Sequence, residues 1–173
     1  TPGYDLNSEQ IKELTERVPP SKIEAIAYSH LPVFHMEHCV FCRFLSEGTD
    51  NTNCGHPCEK HQIAVRDSQG RAHPVMADVG CRNTIFGAEA QTNPHAIIAW
   101  RAAGIADFRL EFVHQTPEQV SNITTAFGQF LSSEATPETA AQLARTIEKN
   151  SPQSTTEGSL FVAEDYKNLV QLS

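Results

Sequence analysis

A chain of 173 residues with 39% hydrophobic content and a net charge of −8 can bury one core, with room for a small appendage. The charge argues against a general nucleic-acid surface, which needs clustered Lys and Arg, and no run is long and apolar enough to span a bilayer. Five cysteines without an export signal predict reduced thiols and a cytoplasmic setting. The start, Thr1-Pro-Gly-Tyr-Asp5, lacks methionine, which predicts a processed product or a piece of something longer.

In chain order, Asn7-Ser-Glu-Gln10 has the pattern of a capping box, and Ile11 and Leu14 follow at helical spacing. The helix runs to about Arg17, and Pro19-Pro20 ends it. Ile23 to Tyr28 predicts a strand, and Leu31 to Met36 continues extended. Ser46 to Asn53 is turn chemistry throughout. Gln62–Arg66 and Ala72–Met76 flank Asp67-Ser-Gln-Gly70, a β-hairpin with Gly70 at a positive-φ position and Pro74 marking an edge strand.

Asn93 caps the next helix, Pro94 opens it and Gly104 closes it. Ile105 to Val113 predicts a strand with Phe108, Leu110 and Phe112 on one face and Arg109 and Glu111 on the other. Thr116 opens a helix with Val120, Ile123, Phe127, Phe130 and Leu131 as its stripe. Thr136 opens another with Ala140, Leu143, Ala144 and Ile147 on one face. Gly158 to Val162 is a candidate short strand. This order predicts an α/β fold, parallel in its regular part. The elements are too few to close an eight-stranded barrel. The expectation is therefore one domain over residues 1–173: a partial (β/α) barrel-like domain with an inserted cysteine-rich metal-binding loop and β-hairpin.

The chemistry concentrates between His35 and Cys81, which holds Cys39, Cys42, Cys54, Cys58 and Cys81 together with His35, His38, His56, His61 and His73. Two close cysteine pairs across a polar loop have metal-site spacing. Thiolates suit structural zinc or an iron–sulfur cluster. Five thiols exceed the four of one such centre, so the spacing leaves open which four bind, and the nearby histidines are possible substitutes. Buried free cysteines acting as small hydrophobes are the plainer alternative.

His35, Glu37 and His38 form a second group. On an extended chain His35 and Glu37 share a face, as an acid–base pair, a second metal site, or supports that orient the ligands. Arg109 and Glu111 project from one strand face, toward a barrel lumen or toward solvent. Asp78, Arg82 and Asn83 flank Cys81 and either contact an anionic ligand or satisfy a turn. No Ser-His-Asp arrangement or phosphate-cradling loop is visible.

The run Pro32-Val-Phe-His-Met-Glu-His-Cys39-Val-Phe-Cys42, followed by Asn53-Cys-Gly-His-Pro-Cys58-Glu, resembles the cysteine region of the collagenase-like peptidase family U32. His73-Pro-Val-Met-Ala-Asp-Val-Gly-Cys81 and Ala103-Gly-Ile-Ala-Asp-Phe-Arg109-Leu-Glu111 resemble its later blocks, in the right order. The resemblance implies a barrel-like catalytic region of which this chain is the later part. The missing N-terminal half, or a partner subunit, would complete it. It implies either a peptidase or, as in several relatives, a role in hydroxylating RNA or a quinone precursor. One branch holds a four-iron (4Fe-4S) cluster on four cysteines. Cys39, Cys54, Cys58 and Cys81 match the family pattern by position, and Cys42 departs from it. Three expectations follow: an iron–sulfur redox protein, a metal-dependent peptidase with zinc, and a non-catalytic domain built around zinc.

Overall fold

A computed structural model of the chain describes residues 1–163. Its elements in order are α1 (Ser8–Glu13), β1 (Glu24–Tyr28), β2 (Pro32–Met36), α2 (Val40–Leu45), β3 (Ile63–Arg66), β4 (Ala72–Asp78) and β5 (Arg82–Phe86). These are followed by β6 (Ala90–Gln91), α3 (Pro94–Ala102), β7 (Asp107–Leu110), α4 (Pro117–Ser132), α5 (Pro137–Asn150) and β8 (Thr155–Thr156). The chain divides into two compact units: Thr1–Ser29 with Glu89 onward, and His30–Ala88 between them.

The first unit is wound as parallel strands and helices. β1 pairs parallel with β7, setting Ala25 opposite Phe108 and Ile26 opposite Arg109, and β6 pairs parallel with β8. Helix starts follow side-chain chemistry. Asn7 Oδ1 accepts the Gln10 N–H at 2.9 Å while Gln10 Oε1 accepts the Asn7 N–H at 3.0 Å. Thr116 with Gln119 and Thr136 with Thr139 repeat the capping box, and Asn93 caps α3 ahead of Pro94. Apolar residues at helical spacing then face one core. Ile97 and Trp100 come from α3, Ile123, Phe127 and Phe130 from α4, and Ala140, Leu143 and Ile147 from α5, all packed with Ala25, Ala27 and Tyr28 of β1. The Trp100 indole N–H is satisfied by the Ser8 carbonyl at 2.9 Å. Arg101 donates to the carbonyls of Phe130, Leu131 and Ser133 and so caps the C-terminal end of α4.

The second unit is an antiparallel sheet in the order β2-β5-β4-β3. Phe34, Ile85, Val75 and Ile63 form one row across its four strands. The β3–β4 hairpin turns where predicted, with Gly70 at φ 82°. Asp67 organises that turn, accepting the N–H groups of Gln69 and Arg71 and the Arg71 guanidinium. The Arg71 hydrogen bond holds the Asp67 carboxyl well below the usual carboxylate range.

The architecture is mixed α/β. No closed barrel forms among the described residues, whose parallel strands make only two short pairs. Three local expectations are corrected. Pro74 lies on β4, an inner strand. Its missing N–H is tolerated because the β4–β5 register stops at Val75–Ile85, and the Phe86 carbonyl is met by His73 Nδ1 at 3.2 Å. Gly158–Leu160 is a 3-10 turn, and the short strand lies earlier at Thr155–Thr156. The strand predicted over 105–113 narrows to β7, although Phe108, Leu110 and Phe112 do pack toward the core.

Candidate metal centre

All five cysteines are free thiols, and all lie in the second unit. Cys39 is the N-cap of α2, where its sulfur accepts the Cys42 N–H at 3.4 Å. Cys42 lies one turn on and is buried, and its thiol donates to the Gly48 carbonyl at 3.4 Å. Cys54 ends a tight turn in which its N–H reaches the Asp50 carbonyl at 2.9 Å. The Asp50 carboxylate is itself held by the Thr52 hydroxyl and N–H. Cys58 sits in a 3-10 turn over Pro57–Glu59. Cys81 occupies the β4–β5 connection at φ 62°, a left-handed conformation that costs a non-glycine residue about 1 kcal/mol or more.

Gly48 locks the Cys54 turn against the Cys42 side. A Cβ there would lie 2.5 Å from the Asn53 carbonyl oxygen and 2.6 Å from the Cys54 Cα, closer than any side chain permits. Burial raises the thiol pKa of Cys42, and the neighbouring Cys54, Cys39 and Cys81 raise it further. Burial likewise raises that of Cys81, followed by Cys39, Cys54 and Cys58. Cys39 and Cys54 thus lie within electrostatic reach of both Cys42 and Cys81, and Cys58 within reach of Cys81. Among the described residues, no three or more His, Cys, Asp or Glu side chains are drawn together tightly enough to hold a metal ion as they stand.

The histidines divide. His56 sets Nδ1 3.0 Å from Glu59 Oε1 and Nε2 3.1 Å from the Asn51 carbonyl. Two acceptors favour a doubly protonated ring, and the Glu59 hydrogen bond accordingly raises its pKa. A ring in that state has no lone pair for a metal. His35 sets Nδ1 2.9 Å from the Thr84 hydroxyl across the β2–β5 pair. β2 ends at Met36, one residue short of Glu37. Glu37 and His38 lie exposed in the bend that follows.

Arg109 and Glu111 belong to the first unit. Arg109 pairs with Glu24 through its Nε and approaches Glu111 at 3.5 Å, and Glu111 accepts the Tyr4 hydroxyl at 2.7 Å. That carboxylate, aided by burial, pushes the Tyr4 pKa up to about 12. The four side chains form a surface network.

Sequence reasoning passed over Gly48, which lay unmarked in a loop rich in turn residues. It noticed Asn83 without its role. The side chain is fully buried and accepts the Val40 N–H at 2.6 Å. The β-branched and aromatic run Thr84-Ile-Phe86 was the available signal for β5.

Fold and site together define a mixed α/β protein that carries a five-thiol antiparallel insertion. The sequence profile of Peptidase family U32 matches residues 3–169. The chain belongs to that family. Neither the curated proteins nor the solved structures contain a match to it. No helix among the described residues is long and apolar enough to cross a membrane.

Proposed function

We propose that the insertion carries a cysteine-ligated metal centre, an iron–sulfur cluster of the four-iron type, serving a redox or hydroxylation reaction on RNA or a quinone precursor. One observation carries this reading: five free thiols gather in a unit whose own core is too small to account for its order. The buried apolar residues of His30–Ala88 are Phe41, Cys42, Pro57, Pro74, Val75 and Ala88, while Val33, Phe34, Phe44, Val65 and Val79 remain exposed. Segments of about 60 residues with so little burial usually need a metal or a crosslink to hold their shape.

Thiolates suit such a centre by their chemistry, although in this structure they are not drawn together around one point. Cys39, Cys54, Cys58 and Cys81 would hold it, and a bound cation would favour the Cys81 thiolate that burial and the neighbouring thiols disfavour. Cys42, the fifth thiol, neighbours this set, and its thiol donates to the Gly48 carbonyl. A bound cluster supplies one-electron transfer. His35, Glu37 and His38, beside the thiols in sequence, are the residues we assign to substrate or proton handling, with Arg109 and Glu111 as a second candidate pair. We further propose that β1–β7 and β6–β8 are a sector of a barrel completed by an N-terminal half or a partner subunit. Free thiols of this kind fit the reducing cytoplasm.

The small core equally favours a second reading, in which zinc occupies the thiols and only builds the fold. A peptidase reading with zinc follows from the family's name and requires an open coordination position. Iron, zinc and sulfide content of anaerobically purified protein, with its visible spectrum, separates these. Iron with sulfide and colour supports the cluster, and colourless zinc supports the structural reading. Peptide cleavage by the zinc-loaded protein would support the peptidase.

A further inference from the structure

We propose that Asn83 is the positioning residue of the thiol site: its buried amide fastens the connection carrying Cys81 to the helix start carrying Cys39. Asparagine is poorly suited to an inner strand and costly to bury unless its polar atoms are matched. Here both ends of the amide are used. Oδ1 accepts the Val40 N–H at 2.6 Å and Nδ2 donates to the Arg82 carbonyl at 2.7 Å. Val40 follows Cys39 directly, and Arg82 follows Cys81. One side chain therefore grips the backbone beside two thiols that lie far apart in sequence.

Both grips are needed where they fall. α2 has six residues, too few to hold itself without outside contacts, so the direction in which Cys39 presents its sulfur depends on what anchors Val40. Cys81 sits in a left-handed conformation that the surrounding structure must enforce. The strand partners of Asn83, Met36 and Ala77, fix its own position from both sides. This inference rests on the metal reading for its consequence but not for its geometry, so its test has two arms.

In the first arm, cobalt(II) is titrated into the metal-free full chain and its thiolate charge-transfer absorbance is followed. Asn83→Ala removes the acceptor. Val40→Pro removes the donor at the first helical position, where proline fits, and Cys39 already has the extended backbone that precedes a proline (φ −78°, ψ 107°). Each change is expected to weaken cobalt binding about tenfold or more. The double variant should be no weaker than the worse single one, because both remove the same bond. Asn83→Asp keeps the size and the acceptor and should recover part of the loss, which also covers the case in which the alanine variant fails to fold. Wild-type affinity in both Asn83→Ala and Val40→Pro would overturn the proposal.

The second arm uses no metal. A short bifunctional thiol reagent should join Cys39 to Cys81 in the wild-type chain, as mapped by mass spectrometry, and the yield should fall in Asn83→Ala. An unchanged yield would overturn the proposal. If the wild-type chain binds no cobalt, the metal reading fails, and this arm alone decides the role of Asn83.

Discussion

The two units are ordered by different means. In the first, strands and helices each place side chains into one cluster, with Trp100, Ile97, Ile123 and Ile147 fully buried. Its polar contacts then secure element ends, as Arg101 does for α4. In the second, few apolar side chains are buried. Its specific interactions are polar: short-range in the Asp67 turn, the Asp50 turn and the Cys42–Gly48 contact, and long-range in the Asn83 amide. A unit built by burial tolerates the loss of any one polar contact. A unit built from turns around thiols depends on whatever holds the thiols together.

The largest effect that would sharpen this contrast is expected from Cys54→Ser or Cys58→Ser. Each should abolish bound metal and remove amide-exchange protection from β4 and β5. The fluorescence of Trp100, the only tryptophan and part of the first unit, should stay that of a buried indole. A double variant with full metal content and an unchanged melting temperature would break the contrast.

Next, Trp100→Ala should cost about 3–5 kcal/mol in chemical denaturation, from lost burial and the cavity left behind. Metal content per folded chain should be unaffected. Arg101→Ala should cost about 1–2 kcal/mol, because the carbonyls at the end of α4 lose a charged donor. A change below a few tenths would mean that water replaces it fully.

The smallest effect concerns pH. The Arg109 hydrogen bond lowers the Glu24 pKa, so this pair contributes stability above the ordinary carboxylate range and loses it as pH falls through the lowered value. Both side chains are substantially exposed, so the contribution is small. An NMR titration should show the Glu24 pKa rising toward its ordinary value in Arg109→Ala.

Much of the first unit was legible because its signals are local. Asn7 with Gln10, Thr116 with Gln119, and Asn93-Pro94 through Gly104 each carry their capping chemistry within a few residues. The second unit was legible in its β3–β4 hairpin and in the spacing of its cysteines. α2 was missed because its cap is a sulfur and four of its six residues, Val40, Phe41, Cys42 and Phe44, have weak helix preference. β5 was missed because Asn83 and Thr84 interrupt its apolar pattern, and Asn83 is there for a contact with Val40, far off in sequence. Pro74 misled because an inner strand can end its pairing on one side before the proline. The expected shared face of His35 and Glu37 rests on alternation, which holds only as far as the strand, and β2 ends at Met36. Gly48 is required by a close approach of two loop segments, which no local pattern announces.

The most direct test of the central claim is the iron, zinc and acid-labile sulfide content of the full chain purified without oxygen, read with its visible spectrum. The account predicts iron and sulfide in near-equal amounts, about four of each per chain, with broad thiolate–iron absorbance. A colourless protein that carries neither iron nor zinc, keeps five titratable thiols and retains full amide protection in β4 and β5 would contradict it.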